Sequence, residues 1–200
     1  MRWNGSRVLL LVVAVLVTQG CGGARGPYGT DAAKQRDVAK AEERYQAAVA
    51  ELAEPKPDDA EAEKLLREAL GFDLYHGAAH NNLGVLLLKQ DHLYDAAEEF
   101  EWARKLLPGH PEPRVNLAIA LERGGKHQEA LEAARAALEV RPGNLAAIKT
   151  IAVIQIREAQ TDDTTRGHLD AIIQRSQDPV WRDWAERQRL VLESRNPLAR

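Results

Sequence analysis

Through the middle of the chain, between residues 77 and 144, apolar residues recur at the three- and four-residue spacings of an amphipathic helix. One such stripe consists of Leu83, Gly84 and Leu87 with His80 at the same spacing, and the next consists of Ala96, Phe100 and Ala103. Polar and charged residues fill most positions between them. The pattern predicts two helices joined by a short turn, each with one face that a neighbouring helix must cover.

The same pattern occurs twice in this stretch, at an offset of about 34 residues, and a fixed period of this length is typical of stacked supersecondary units. Leu83 aligns with Leu117, and Pro108 aligns with Pro142. The two alanines of the second stripe, Ala96 and Ala103, align with Ala130 and Ala137. Each proline is placed to end a helix.

The repeated residues resemble the tetratricopeptide-repeat family. The residues that stand where this family places its signature are His80, Leu83, Gly84, Leu87, Ala96, Phe100, Ala103 and Pro108. The resemblance implies an all-α, tetratricopeptide-type α-solenoid of three to four helical hairpins with a C-terminal capping helix. The second repeat departs from the first, because Ala118 replaces Gly84 and Ala134 replaces Phe100.

The register extends the division of the chain beyond the two clear repeats, which occupy residues 77–110 and 111–144. Residues 31–76 are predicted to form a degenerate hairpin that Asp31 caps and in which Ala50 stands one repeat period before Gly84. Residues 145–176 are predicted to form a degenerate repeat in which Thr164 occupies an expected alanine position. Residues 177–200 are predicted to be a capping helix and tail, and the helix begins at Asp178-Pro179.

Residues 1–20 have the order of an export signal, with two arginines, an apolar run and a small residue before Cys21. The only cysteine of the chain resembles the lipidated cysteine of bacterial lipoproteins, and residues 21–30 are predicted to form a flexible lipidated tether. An ordinary signal peptide followed by a free thiol is the alternative. Gly22, where enterobacterial sorting would place an aspartate for inner-membrane retention, favours the outer membrane, with the body facing the periplasm.

Charge and candidate chemistry narrow the function. Removal of residues 1–20 would take away two of the 27 basic residues and none of the 30 acidic ones, which changes the net charge from −3 to −5. We therefore expect no nucleic-acid partner. His76 and His80 lie four residues apart, but no further ligand pattern adjoins them. The sequence predicts no catalytic residue, no metal site and no cofactor.

A second face of the first helix in each repeat is the candidate binding surface. In the resembling family these helices line the concave side of the solenoid, where peptides or partner helices dock. The residues of this predicted groove are Asn81, Val85, Leu88, Lys89, Val115, Ile119, Glu122, Arg123, Lys149, Val153, Ile156 and Arg157. Its apolar floor would consist of Val85, Leu88, Ile119, Val153 and Ile156, and its basic margin of Lys89, Arg123 and Arg157. Such a groove predicts a ligand with an apolar segment that carries a carboxylate.

The expected function is that of a non-catalytic, lipid-anchored adaptor which binds an envelope protein or peptide and aids assembly of an envelope complex such as a pilus secretin. Three alternatives remain open at this point. The basic residues could simply be solvated and the floor covered by the chain's own last helix. The protein could be a weak hydrolase that uses its own His76, His80 and His168, or an accessory factor of a periplasmic peptidoglycan or hydrolytic enzyme. It could also self-associate through Trp181 and Trp184.

Overall fold

The computed structural model describes residues 36–160 and 162–195, which form helices and connecting turns without a strand. The helices in this part of the chain are α1 (Val38–Leu52), α2 (Asp59–Phe72), α3 (Gly77–Lys89), α4 (Leu93–Leu106), α5 (Glu112–Arg123), α6 (His127–Val140), α7 (Leu145–Arg157), α8 (Asp163–Arg175) and α9 (Pro179–Arg195). Within these ranges, no helix has the length and apolar content needed to cross a bilayer. The predicted signal peptide, Cys21 and the tether lie outside the described residues.

The helices form antiparallel pairs that stack in sequence. We call α1–α2 unit one, α3–α4 unit two, α5–α6 unit three and α7–α8 unit four. Each helix packs against the next along the chain, and α5 also contacts α3 and α7. The second helices of units one to three begin at Asp59, Leu93 and His127, so successive starts are one repeat period apart. The all-α prediction is thus confirmed.

Fully buried alanines let the paired helices approach closely. Two alanines lie on the second helix of each of the first three units at 0% exposure: Ala62 and Ala69, then Ala96 and Ala103, then Ala130 and Ala137. A side chain of one carbon adds little bulk where helices cross. These positions are the ones that the repeat pattern identifies as the inner face of the second helix.

The contact between the two helices of unit two depends on a glycine. A Cβ atom at Gly84 would lie 2.6 Å from Cε1 of Phe100, closer than van der Waals contact allows. Phe100 is fully buried, so its ring fills the space that the glycine leaves. In unit three the equivalent residues are Ala118 and Ala134, which are both fully buried.

One residue in the turn inside each of the last three units has a left-handed backbone conformation. The φ angles are 67° at Asp91, 77° at Gly125 and 54° at Ala159. The following amide in each turn donates back to the first helix, as in the 2.9 Å bond from His92 N to Leu87 O. This bond satisfies a carbonyl at the helix end, which is the usual role of a left-handed C-terminal residue.

Unit one differs from the prediction in register. The helix α1 is capped by Asp37, and Asp31 lies outside the described residues. Ala50 is exposed, whereas Ala48 is fully buried. The reason is the connection to α2, which spans residues 53–58, whereas residues 90–92 suffice in unit two. The extra residues shift the buried face of α1, so the alignment of Ala50 with Gly84 is wrong.

Arg36 joins the start of unit one to its end. Its Nε and Nη2 atoms donate hydrogen bonds of 2.8 and 2.9 Å to the two carboxylate oxygens of Asp73. These hydrogen bonds hold the pKa of Asp73 below its usual range. Asp73 is only 3% exposed, so the guanidinium also compensates a buried charge.

Unit four keeps the repeat pattern but shifts it by one residue. Thr165, Leu169 and Ile172 are fully buried, whereas Thr164 is exposed. Helix α8 begins at Asp163, later than the repeat period predicts from the start of α6 at His127. Thr165 therefore takes the position that the repeat pattern predicts for Thr164.

Asp162 caps α8, and hydrogen bonds from Thr164 and Thr165 lower the pKa of Asp162 to about 2.

The last helix covers the end of the stack. The amide of Val180 donates to Oδ1 of Asp178 over 2.9 Å, as predicted for a capping aspartate followed by proline. The rings of Trp181 and Trp184 meet edge to face with centroids 5.4 Å apart. Both rings pack against a cluster that includes residues of α7, α8 and α9, so they close the core of unit four.

Candidate functional site

The twelve predicted groove residues lie in four rows across the neighbouring first helices α3, α5 and α7. We call this surface the first-helix groove. Its apolar row consists of Val85, Ile119 and Val153, one from each helix. Val85 is 43% exposed, and the other two side chains are half-buried. Leu88 is half-buried beside them.

Two of the twelve residues are buried and do not contribute to an accessible surface. Val115 is 4% exposed and packs against Ala137 and Ala147, so it belongs to the contact between units three and four. Glu122 is 9% exposed, and its Oε1 lies 2.5 Å from Nη1 of Arg157. The prediction is corrected at these two positions, because neighbouring helices approach closely enough to cover them.

The basic margin of the groove is engaged in contacts with preceding units. Lys89 lies 2.5 Å from Asp59 at the start of α2. Arg123 donates to Leu88 O over 2.8 Å and to Asp91 over 2.7 Å. With the pair between Arg157 and Glu122, each of the three cations reaches back by one unit. A bound carboxylate would therefore have to compete with internal partners.

The two ends of the groove differ in how far the chain itself covers them. In unit two, Oδ1 of Asn81 accepts a 3.0 Å hydrogen bond from Asn116 of unit three. In unit four, the ammonium of Lys149 lies 4.8 Å from the centroid of the Trp181 ring on α9. Ile156 packs against the same cluster as Trp181. The open part of the groove is therefore its middle and its unit-two end.

The histidines that prompted an enzymatic alternative have structural partners. His76 accepts the amide hydrogen of Ala79 over 3.1 Å and so caps α3. His80 is fully buried, with Nδ1 at 2.6 Å from the carboxylate of Glu99 and Nε2 at 2.8 Å from Leu74 O. Among the residues that the structure describes, no three His, Cys, Asp or Glu side chains are grouped to hold a metal ion.

His168 on α8 also has a structural partner. Its Nδ1 lies 2.8 Å from Oε1 of Gln155, which is 3% exposed on α7. Burial lowers the pKa of His168 below its ordinary value, because a charged imidazolium is poorly solvated there. His168 therefore joins α8 to α7 through a hydrogen bond, and burial favours its neutral form.

A cleft on the opposite side of α5 was not singled out by the sequence analysis. It has a volume of about 360 Å³ and lies between α4 and α6 over a floor of Leu117 and Leu121. The residues of α6 that line it include Ala133 and Ala136. The signal was available in the repeat alignment, because these alanines stand one repeat period after Glu99 and Trp102. We call this space the outer cleft.

The comparisons with known proteins find structural but not sequence matches. No protein-family model matches the chain, and no curated protein matches it. A solved structure of PilF from Pseudomonas aeruginosa is 21% identical with a TM-score of 0.63, and the alignment covers 82% of this chain and 79% of that one. YrrB, a tetratricopeptide protein with an unusual peptide-binding site, is 23% identical with a TM-score of 0.60 and 76% of each chain covered.

A third solved structure is the first tetratricopeptide domain of Spaghetti (RPAP3) bound to the HSP90 peptide SRMEEVD. It is 18% identical with a TM-score of 0.59, and the alignment covers 64% of this chain and 99% of that one. These likenesses show the fold. The described helices form a tetratricopeptide-type α-solenoid with a capping helix, so the predicted fold class is confirmed.

Proposed function

We propose that the protein is a non-catalytic adaptor of the bacterial cell envelope, which binds an extended apolar segment of a partner protein in the first-helix groove. One observation carries the proposal. Val85, Ile119 and Val153 form an apolar row at equivalent positions on three adjacent helices, and their side chains remain partly exposed. A regular row of this kind offers successive contacts to an extended chain.

The structural neighbours support binding of a peptide by this fold. YrrB is described by its peptide-binding site, and the RPAP3 domain is bound to an HSP90 peptide. Solenoids use extended concave surfaces for such partners. Sequence identity to both neighbours is low, so their ligands do not transfer to this chain, and the proposed partner is defined by chemistry alone.

The chemistry favours an apolar ligand without an essential terminal carboxylate. Lys89, Arg123 and Arg157 are held by Asp59, Asp91 and Glu122. Val85 and Ile119 have only hydrocarbon side chains. Affinity would come from burial of apolar surface along the row, at about 25 cal/mol per Å² before the costs of association.

Photo-crosslinking in living cells tests the proposal. A photoreactive residue is placed at Ile119 or Val85 on the groove, and the matched controls are placed at Glu98 and Glu139, which are exposed on second helices. We expect the same discrete adduct from both groove positions and none from the controls. A synthetic peptide of the crosslinked segment should then bind the wild-type chain about tenfold or more tightly than an Ile119→Glu variant, since the variant buries a charge.

The proposal is wrong if the groove probes yield no adduct, or if their adducts are equally abundant from Glu98 and Glu139. An adduct within this chain would mean that its own residues fill the groove, which also contradicts the proposal. Binding of the peptide that Ile119→Glu leaves unchanged would place the contact elsewhere.

The anchor is a separate part of the proposal and rests on the sequence around Cys21. We propose that lipidation of Cys21 holds the protein at the outer membrane, on the periplasmic side, where it aids assembly of an envelope complex such as a pilus secretin. Membrane fractionation is the test. A Cys21→Ser variant should leave the membrane fraction, while Thr18→Ser should remain there. Retention of the Cys21→Ser variant would contradict lipid anchoring without affecting the groove.

A further inference from the structure

Units two, three and four have an equivalent space on the side of the first helix away from the first-helix groove, where the second helix packs over the first. In unit two this space is filled. The imidazole of His80 on α3 hydrogen-bonds to Glu99 on α4. The Trp102 indole stacks on the same imidazole, with centroids 5.5 Å apart and planes 9° from parallel. Leu87, two turns further along the same stripe of α3, is only 3% exposed.

In unit four the space is filled by a different residue. The buried stripe of α8 is shifted by one residue, so His168 takes the position of Glu99. Its ring hydrogen-bonds to Gln155, which takes the position of Leu87 on α7. Gln155 is 3% exposed, so the floor is again covered.

In unit three nothing from the described chain fills the space. Ala133 and Ala136 stand in place of Glu99 and Trp102, and the outer cleft of about 360 Å³ results. Leu121, the equivalent of Leu87, is half-buried and lines the cleft. This volume lies at the lower end of the range for ligand pockets, which is about 300–1,000 Å³. It is large enough for one aromatic side chain and its neighbours.

The charges around the outer cleft define its complement further. Arg114 takes the position of His80, and its Nη1 donates to His110 O over 3.0 Å. A guanidinium can stack on an aromatic ring as an imidazole does. Glu129 and Glu132 line the α6 side and are exposed. Glu101 on the α4 side lies 2.6 Å from Arg104. Glu129 lies 3.9 Å from Lys126, so Glu132 is the carboxylate that the α6 side offers to a basic residue of a partner.

We propose that the outer cleft is a second binding site, which takes an aromatic side chain of a partner protein stacked on Arg114, with an adjacent basic residue of that partner paired to Glu132. The molecule itself supplies the template, because Trp102 and His80 show how unit two fills the equivalent space. The site lies on the opposite side of α5 from the first-helix groove, so it does not depend on the proposed function.

The test is an NMR titration of the purified, isotope-labelled full chain with the acetylated tripeptide amide Lys-Trp-Lys. We expect saturable shifts at the amides of Leu117, Leu121 and Ala136. The matched peptides are Lys-Ala-Lys, which lacks the ring, and Glu-Trp-Glu, which reverses the charge. Both should give shifts that do not saturate over the same concentration range.

Two variants locate the contact. Ala136→Trp should fill the cleft from within and abolish saturable binding, while Ala47→Trp on the exposed side of α1 should bind as the wild type does. Glu132→Lys changes an exposed residue and carries little risk to folding. It should weaken Lys-Trp-Lys binding by about two- to fivefold, as expected for one surface ion pair, and strengthen Glu-Trp-Glu binding.

The proposal is overturned if Lys-Trp-Lys gives no saturable shift, or if its shifts lie at Val85 and Ile119 instead. It is also overturned if the two tripeptides with lysine bind alike, or if Glu132→Lys leaves the preference between the charged peptides unchanged. Shifts in the peptide-free spectrum that vanish on dilution would show that a second copy of the chain fills the cleft, which contradicts the proposal too.

Discussion

Units two and three contain helices of similar length in the same register, yet they fill the space between those helices differently. In unit two a glycine faces a large ring, because Gly84 leaves room for Phe100. In unit three two small residues, Ala118 and Ala134, meet at the same positions. The side-chain volume at this helix crossing is therefore shared between the two helices. A smaller side chain on one helix must be matched by a larger side chain on the other, or the two helices make less contact.

The two units also differ on their outer side. Unit two covers its first helix with Glu99 and Trp102, whereas unit three has Ala133 and Ala136 there. The helices keep their places in both units, so this covering is not needed for the fold. A position that the fold does not require is one that a binding site can use.

The largest effect is expected from truncation of the ring in unit two. Phe100→Ala should lower the free energy of unfolding by about 3–5 kcal/mol, because a fully buried ring is lost and a cavity remains beside Gly84. Ala134→Gly at the equivalent position of unit three should cost only about 1 kcal/mol. Urea unfolding followed by circular dichroism measures both. Equal losses of unfolding free energy in the two variants would mean that units two and three pack this helix crossing in the same way.

Addition of a methyl group at Gly84 is expected to have a smaller effect. Gly84→Ala should destabilise the protein by about 1 kcal/mol, since overpacking of roughly 1–3 kcal/mol outweighs the gain in helix propensity of about 1 kcal/mol. The reverse change in unit three, Ala118→Gly, should also be destabilising, because no ring is there to use the space. The same unfolding experiment applies. A Gly84→Ala variant that is more stable than the wild type would contradict the close contact with Phe100.

The turns offer a smaller effect. Ala159→Gly should stabilise unit four by about 0.5–1 kcal/mol, because its φ of 54° is left-handed and costs little only for glycine. Gly125→Ala in unit three is the matched change in the opposite direction. Hydrogen exchange of the amides at the end of α7 would report the local effect. No gain from Ala159→Gly would mean that the turn relaxes with alanine present.

The smallest effect concerns His168, whose pKa is lowered by burial. Below pH 6.5 the unfolded state binds a proton at this ring, whereas the folded state keeps the ring neutral until the pH reaches the lowered pKa, so its contribution to stability is fully present only above pH 6.5. It is lost as the pH falls from 6.5 towards the lowered pKa. Unfolding at pH 7.5 and pH 5.5 should therefore show a larger loss for the wild type than for His168→Gln. An identical pH dependence would remove His168 as a contributor.

The sequence was sufficient to predict the fold where the repeat register is unbroken. The alanines of α4 and α6 and the close contact at Gly84 follow directly from spacing. The predicted register is wrong at Ala50, because residues 53–58 form a longer connection than the turns of units two and three. It is also wrong at Thr164, because α8 begins later than the repeat period predicts. The spacing of apolar residues does not show how far a longer connection changes which residues of the adjoining helix are buried.

The candidate site was less predictable than the fold. Spacing placed Val85 and Ile119 on one surface, but it could not show that Val115 is covered by α6 and α7. It also could not show that Arg123 reaches back to Asp91, since the direction of a long side chain depends on its neighbours. The outer cleft exists because Ala136 leaves open a space that Trp102 covers in unit two. That difference can be seen only once the positions of the packed helices are known.

If Gly84 and Phe100 divide one volume between two helices, as we claim, the effect of Gly84→Ala must depend on whether the ring of Phe100 is present. With Phe100 present the substitution should destabilise the protein. In the Phe100→Ala background the same substitution should stabilise it by about 1 kcal/mol, because it restores the alanine pair of unit three and adds helix propensity. An effect of the same sign in both backgrounds would contradict the claim.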